Sequence, residues 1–392
     1  MPFCIIIEND RRLGKCYASE LASRIMRNSR ILVVFCAMIV LASTGCHDTL
    51  LTPTTGNPNP SYAHIVYNTP SGIAFDGPYG EVRIVDTSGS NSMPIGRGLL
   101  GAVGGNKVAW AQVDTTLGRP TLYNAQIGLR KISSGSGGIT VSGQNVPMQA
   151  DEQLAGAPGI SPDGSRLAFM VSKSSTNNVA LWVTDNTGNA RIAMPGAAVP
   201  VAVPAFSPDG KYVAYYETNS AVLYTAYSLF VADLTGSVVR EIGPLVCPQS
   251  DSTSITWSHD GLYLAYQDGQ LLKVVSMDTI SSRAVKPIAA TIGPGFAPSW
   301  SPVSNSLAYT SADRHIVVTD DLGQTTRVLT TGGASVDAWP QSSPDGAWIL
   351  FISMSRAMNM LLSPVIQIIG SNGDGRKGVG ATGAADRAFW LP

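Results

Sequence analysis

The sequence predicts an all-β protein of the β-propeller class, a ring of repeated antiparallel sheets, and three observations predict it. The 392 residues are 44% hydrophobic and 14% charged, with 40 Gly and 25 Pro, a turn-rich composition that excludes a disordered polyelectrolyte and a coiled coil. A ten-residue segment recurs five times at intervals in the forties and low fifties. A second turn signature, Asp followed by Gly three residues on, closes an apolar run after three of those copies. Several short strands and turns per repeat of that length are what a propeller blade needs.

Before the repeats lies a leader. Arg27 and Arg30 precede an apolar run from Ile31 to Leu41, followed by Ala42-Ser43-Thr44-Gly45-Cys46. Basic, then apolar, then small is the layout of a secretory signal. The uncharged stretch ending at Gly45 is shorter than the roughly 20 residues a membrane-crossing helix requires. Residues 1–45 are therefore assigned to the signal, with Met26 as an alternative start. Residues 46–61 form a tether, in which Thr52-Pro53-Thr54-Thr55-Gly56-Asn57-Pro58-Asn59-Pro60 has the composition of an extended, solvated linker. The repeats occupy 62–392.

Within the repeats, Ile160-Ser161-Pro162-Asp163-Gly164-Ser165-Arg166-Leu167-Ala168-Phe169 returns as Phe206 to Tyr215 and as Trp257 to Tyr266. Looser copies run from Trp300 to Tyr309 and from Ser342 to Phe351. The Ser falls at 161, 207, 258, 301 and 343. Pro sets the first corner of a tight turn, Asp bonds its own backbone and Gly takes the left-handed conformation, so Ser-Pro-Asp-Gly reads as a hairpin turn. The segment after it, such as Tyr212-Val213-Ala214-Tyr215-Tyr216, is a buried strand with Ala where neighbouring blades approach. Leu181 to Gly188, Leu229 to Gly236 and Ile316 to Gly323 each give a third strand and a second hairpin. Weaker copies lie upstream, at Gly104 to Trp110 and at His64 to Tyr67 with Val82 to Gly89. Ala388 to Pro392 matches a first strand without a blade, which the N-terminal blade lacks. Joining the two closes the ring and removes an open sheet edge. Seven blades are preferred and six are the alternative.

These repeats resemble the TolB-type propeller repeat, a bacterial relative of WD-type propellers found also in prolyl oligopeptidases and oligogalacturonate lyases. The run ending in Gly45-Cys46 resembles the lipobox of bacterial lipoproteins, although Ser43 stands where Leu is usual. The resemblance implies acylation of Cys46, export, and a place on the outer membrane or the periplasmic side rather than the inner membrane, His47 standing where a retention Asp would be.

Candidate chemistry is sparse. Cys4, Cys16, Cys36 and Cys46 precede the repeats, so Cys247 is left as a single thiol that can form no internal disulfide. His47, His64, His259 and His315 have no metal-ligand spacing. Asp163, Asp209, Asp260 and Asp345 recur at one turn position, as do Asp185, Asp233 and Asp320, which points to turns rather than catalysis. No catalytic residue, metal or cofactor is expected. Without residues 1–45 there remain 20 Lys/Arg against 24 Asp/Glu, and no basic block suggests nucleic acid.

Function should sit where the repeat breaks. The Gly/Ser-rich Ser133 to Gly143, with Gln144 to Leu154, reads as a long connection between blades. Asn219 to Ser228 enlarges one hairpin. Ser353 to Pro364 enlarges another with Met354, Met358, Met360, Leu361 and Leu362, a set suited to an adaptable protein contact if exposed and to packing on the propeller if folded back. The expected function is a non-catalytic envelope lipoprotein binding other proteins, or glycans. The alternative is a propeller enzyme of the polysaccharide lyase or hydrolase type, with its site in the central funnel. Labelled palmitate should enter the wild-type chain and be lost in Cys46→Ala; equal labelling of both would reject the lipid anchor.

Overall fold

The structure, a computed structural model, describes residues 64–69, 80–113, 126–135, 138–173, 179–196, 202–218, 227–246, 254–277, 289–320, 323–331, 335–357, 360–379 and 387–391. The chain divides into two units, 1–55 and 56–392, and everything described belongs to the second. The signal, the tether, Cys46 and Cys247 lie outside the described residues.

Every described element is a strand, and the strands form seven antiparallel blades. The first blade combines the C-terminal strand β27 (Arg387–Leu391) with β1 (His64–Asn68), β2 (Glu81–Asp86) and the first half of β3 (Met93–Gly104). The second half of β3, β4 (Lys107–Gln112), β5 (Gln126–Gly135) and β6 (Gly138–Val146) make the second. In the third, β7 (Glu152–Leu154) and β8 (Gly159–Ile160) share the inner edge of β9 (Arg166–Lys173), followed by β10 (Val179–Asp185) and β11 (Ile192–Ala193).

The fourth blade is β12 (Ala205–Phe206), β13 (Tyr212–Thr218), β14 (Tyr227–Asp233) and β15 (Val238–Leu245). The fifth is β16 (Thr256–Trp257), β17 (Tyr263–Asp268), β18 (Leu271–Ser276) and the start of β19 (Ala289–Trp300). The end of β19 opens the sixth, with β20 (Ser306–Ser311), β21 (Ile316–Asp320) and β22 (Thr326–Val328). The seventh is β23 (Ser335–Ser342), β24 (Trp348–Ala357), β25 (Met360–Gly370) and β26 (Lys377–Gly378). Because β3 and β19 each end one blade and begin the next, seven blades occupy five continuous sheets. Seven is thus the number, and the C-terminal strand completes the first blade as the repeat predicted.

The core sits between blades. Each second strand carries an aromatic residue, Tyr67, Trp110, Phe169, Tyr215, Tyr266, Tyr309 or Phe351, and each is buried. Each points into the apolar cluster shared with the preceding blade. Tyr266 packs in the cluster with Ala214 of the fourth blade, Tyr309 in that with Ala265 of the fifth, and Phe351 in that with Ala308 of the sixth. The seventh such cluster joins Leu350 and Ile352 of the last blade to Tyr67 and Trp390 of the first. A side chain alternates faces along a strand, so the aromatic faces one neighbour and the small residue before it faces the other.

Two blades add a charged brace. Arg191 of the third blade lies over the rings of Trp182 and Phe169 and reaches Glu152 on the inner strand at 2.6 Å. Arg376 of the seventh lies over Phe351 and makes a two-pronged bond to Asp337 at 3.0 and 3.1 Å. Trp182 opposes Phe169 and Gln367 opposes Phe351 in register, so the two braces are built at equivalent positions.

Ser133 to Gly143 proves not to be a connection between blades. It is the turn end of the β5–β6 hairpin, with Ser133 opposite Thr140 and Ser134 opposite Ile139. The polar alternation of an outer strand, Thr140-Val141-Ser142, looks like loop when one face is solvated. Phe351→Ala should destabilise the chain by about 3–5 kcal/mol, the usual cost of emptying a core aromatic site. Truncation before Arg387 should lower the melting temperature further than that substitution, by exposing the edge of β1, both effects measured by calorimetry.

Candidate functional site

Among the described turns, the first and third of a blade, such as Ser161 to Ser165 and Asp185 to Asn189, lie at one end of its strands, and the second turns at Asp268 to Leu271 and Ser311 to His315 lie at the other. At the first end, four turns share one bonding pattern. The Asp163, Asp209, Asp260 and Asp345 carboxylates each accept a 2.6 Å bond from the Ser two residues earlier. They also accept the backbone N–H two residues later. The same Ser Oγ accepts the N–H that starts the next strand, at 2.9 to 3.0 Å. Gly164, Gly210, Gly261 and Gly346 close the turns with φ near +70°, a region that favours Gly.

The third turns are built similarly. Asp86, Asp185 and Asp233 each accept the backbone N–H groups two and four residues on. Ser371 to Gly375 is likewise the turn between β25 and β26, with Asp374 N–H bonded to Asn372 Oδ1 at 3.1 Å. Hydrogen bonds set the electrostatics of these acids. The bond from Ser161, helped by Ser165, lowers the Asp163 carboxyl to about 2. Burial pushes Asp209 and Asp260 up, but bonds from Ser207 and Ser258 and from the following N–H groups outweigh it, and both end below the ordinary value.

At this end a cavity of about 330 Å³ opens between the inner strands of the fourth, fifth and sixth blades. Its rim is Pro162, Pro208, His259 and Pro302, the residues after the Ser in four successive turns, and its walls include Phe206, Trp257 and Trp300. Trp257 donates its indole N–H to the Ala205 carbonyl at 3.1 Å, bridging fifth blade to fourth. Trp300, 5% exposed, stacks on Tyr263 with ring centres 6.2 Å apart, and its buried N–H has no hydrogen-bond acceptor. His259 is exposed at the rim, the one ionisable group in the lining. The walls are largely apolar, with Ser301, Thr256 and His259 as the polar side chains in the lining.

A second cavity of about 190 Å³ lies between the sixth and seventh blades, lined by Ser304, Ser306, Ser342, Ser371 and Arg327 among others. It arises where Ser301-Pro302-Val303-Ser304 lacks the turn Asp and Gly, leaving Val303 exposed.

The residues singled out from the sequence fall elsewhere. Met354 is 8% exposed and packs with Ile65, Tyr67 and Ile352 in the cluster between the seventh and first blades. Met360, Leu361 and Leu362 open β25, opposite Ala357, Arg356 and Ser355, at the end remote from the cavity; Met358 is outside the described residues. His64 is buried, with Nδ1 3.2 Å from Ser134 Oγ, and burial lowers its pKa against the pull of Asp86. His315 stands just before β21 and His259 at the cavity rim, so the histidines are dispersed; among the described residues no three His, Cys, Asp or Glu gather as metal ligands. Sequence reasoning passed over the cavity itself. Its signal was the aromatic residue repeated immediately before the turn Ser, together with His259 in place of Pro.

Neither a family model nor a curated protein matches the chain. Among solved structures, one from work on two prolyl endopeptidases is similar over 72% of this chain and 41% of its own length, at 14% identity and a TM-score of 0.51. The fold is a β-propeller. This chain spans about two fifths of the length of that peptidase. TolB from Acinetobacter baumannii is similar over 84% of this chain and 83% of its own length, at 13% identity and a TM-score of 0.45. A protein assigned as TolB from Agrobacterium tumefaciens is similar over 62% and 86%, at 18% identity and a TM-score of 0.41.

A carboxylate with a lowered folded-state pKa stabilises the fold above its unfolded value of about 3.9 and loses that contribution as pH falls through the folded one. The propeller should therefore lose melting temperature between about pH 4 and pH 2, and Asp163→Asn should flatten that dependence, as followed by circular dichroism.

Proposed function

We propose that this chain is a non-catalytic lipoprotein of the cell envelope whose propeller is a rigid scaffold for binding other proteins, with glycans as a second ligand class. The observation that carries this reading is the division of labour at the turn end. The repeated carboxylates, the groups an acid–base enzyme would draw on, are occupied by bonds within their own turns. The concave surface beside them is lined by rings and prolines with one exposed His. Aromatic and proline walls supply large, stiff contact area at little entropic cost, as binding hot spots require. Lipid on Cys46 would hold the scaffold at the outer membrane or its periplasmic side. The segment of Met358, Met360, Leu361 and Leu362 is a second candidate contact.

The competing reading is a propeller enzyme acting on a polysaccharide or peptide, for which the likeness to a prolyl endopeptidase fold is the motive; that likeness concerns the fold alone. A photo-crosslinking residue at position 259 should capture a protein partner in the native envelope, and one at position 328, on the exposed outer strand of the sixth blade, should not. Failure to capture from position 259, together with peptide or polysaccharide cleavage by the purified protein that His259→Ala abolishes, would overturn the scaffold reading in favour of the enzyme.

A further inference from the structure

The outer strands of the blades are protected in different ways, with one exception. β11 and β26 are two residues long and β22 is three. The outer half of β3 contains Pro94 and a bulge. β15 carries Arg240, Glu241, Pro244 and two register shifts. The outer part of β19 contains a register shift and Pro294. Short length, Pro, charge and bulges are the devices that stop a sheet edge from pairing with another chain.

β6 has none of them. It runs nine residues, Gly-Ile-Thr-Val-Ser-Gly-Gln-Asn-Val, with no charge and no Pro. It pairs with β5 along its whole length without a register shift, and it ends its sheet. Thr140, Ser142 and Gln144 are exposed. We infer that β6 is a pairing edge whose partner is the β6 of a second copy of this chain, giving a two-fold antiparallel dimer. The inference is independent of the proposed binding role.

The occupant follows from charge and symmetry. A two-fold axis places a strand antiparallel to itself, so any charged residue near the axis would meet its own copy. β6 offers none. A register centred on Ser142 sets Ser142 opposite its copy and Thr140 opposite Gln144, polar against polar on one face. The nearest cation with an exposed side chain, Lys131, stands opposite Ser142 on β5. Its copy would be three strand spacings away, about 14 Å, beyond the screening length of about 8 Å at physiological salt. One strand pair buries less than the roughly 1,200 Å² of a permanent complex, so the dimer should be weak and reversible.

Sedimentation equilibrium of the purified full chain, from about 1 to 300 µM, should give a mass rising with concentration towards twice that of one chain. The variants Thr140→Lys with Ser142→Lys, and Thr140→Glu with Ser142→Glu, alter exposed positions and should keep the wild-type melting temperature. Each alone should stay monomeric, and an equimolar mixture should recover a dimer. A wild-type mass of one chain throughout overturns the inference, as does dimerisation of the doubly Lys variant to the wild-type extent.

Discussion

A large ring set against a small residue of the preceding blade is the contact on which the rest of this propeller depends. Tyr215 shares a cluster with Ala168, Phe169 with Ala109 and Tyr266 with Ala214. Because adjacent positions of a strand face opposite sides, one dipeptide serves two interfaces. Its small member admits the next blade and its aromatic member fills the gap in the previous one. Enlarging the Ala or emptying the ring site fails in different ways, by overpacking or by cavity, but either acts on a whole interface. Where the small residue is replaced the pairing adapts: Val66 lies with Trp110 and Leu350 with Tyr67. Trp110 is accommodated by Gly96 and Gly128, where a Cβ would come within 2.2 and 2.3 Å of its ring.

Polar groups inside these interfaces are tied down. The Arg376 brace crosses from the outer strand to Asp337 on the inner one, while its guanidinium covers Phe351. A buried ion pair contributes little net stability because desolvation offsets attraction, but it fixes geometry, and both braces hold the inner strand to the outer one across the face of a blade. The third-blade brace is less complete. Arg191 bonds one Glu152 oxygen, and the other oxygen and the Trp182 N–H are buried without partners.

The two ends of the strands have divided roles. At the turn end, Ser and Asp satisfy the backbone within each loop, which makes those loops short and nearly identical. Identity around the ring leaves departures conspicuous, and His259, Val303 and the aromatic walls of the larger cavity all fall among the fourth to sixth blades.

Much of this was legible in the sequence because its causes are local. Ser-Pro-Asp-Gly forms its turn from its own atoms, period-two patterning gives the strand, and the Ser spacing with an unmatched C-terminal strand favours seven blades over six and pairing of the two chain ends. The sequence alone also determined that the recurring acids are turn residues. Tertiary structure decided what depends on neighbours remote in the chain. Met354 could face solvent or the propeller by sequence, and contact with Ile65 and Tyr67 from the other end of the chain buries it between the seventh and first blades. Thr140-Val141-Ser142 resembles a loop because its solvated face carries the polar signal, and it becomes a strand because β5 lies beside it. The cavity exists only where Phe206, Trp257 and Trp300 from three successive blades converge, a juxtaposition set by how those blades pack side by side.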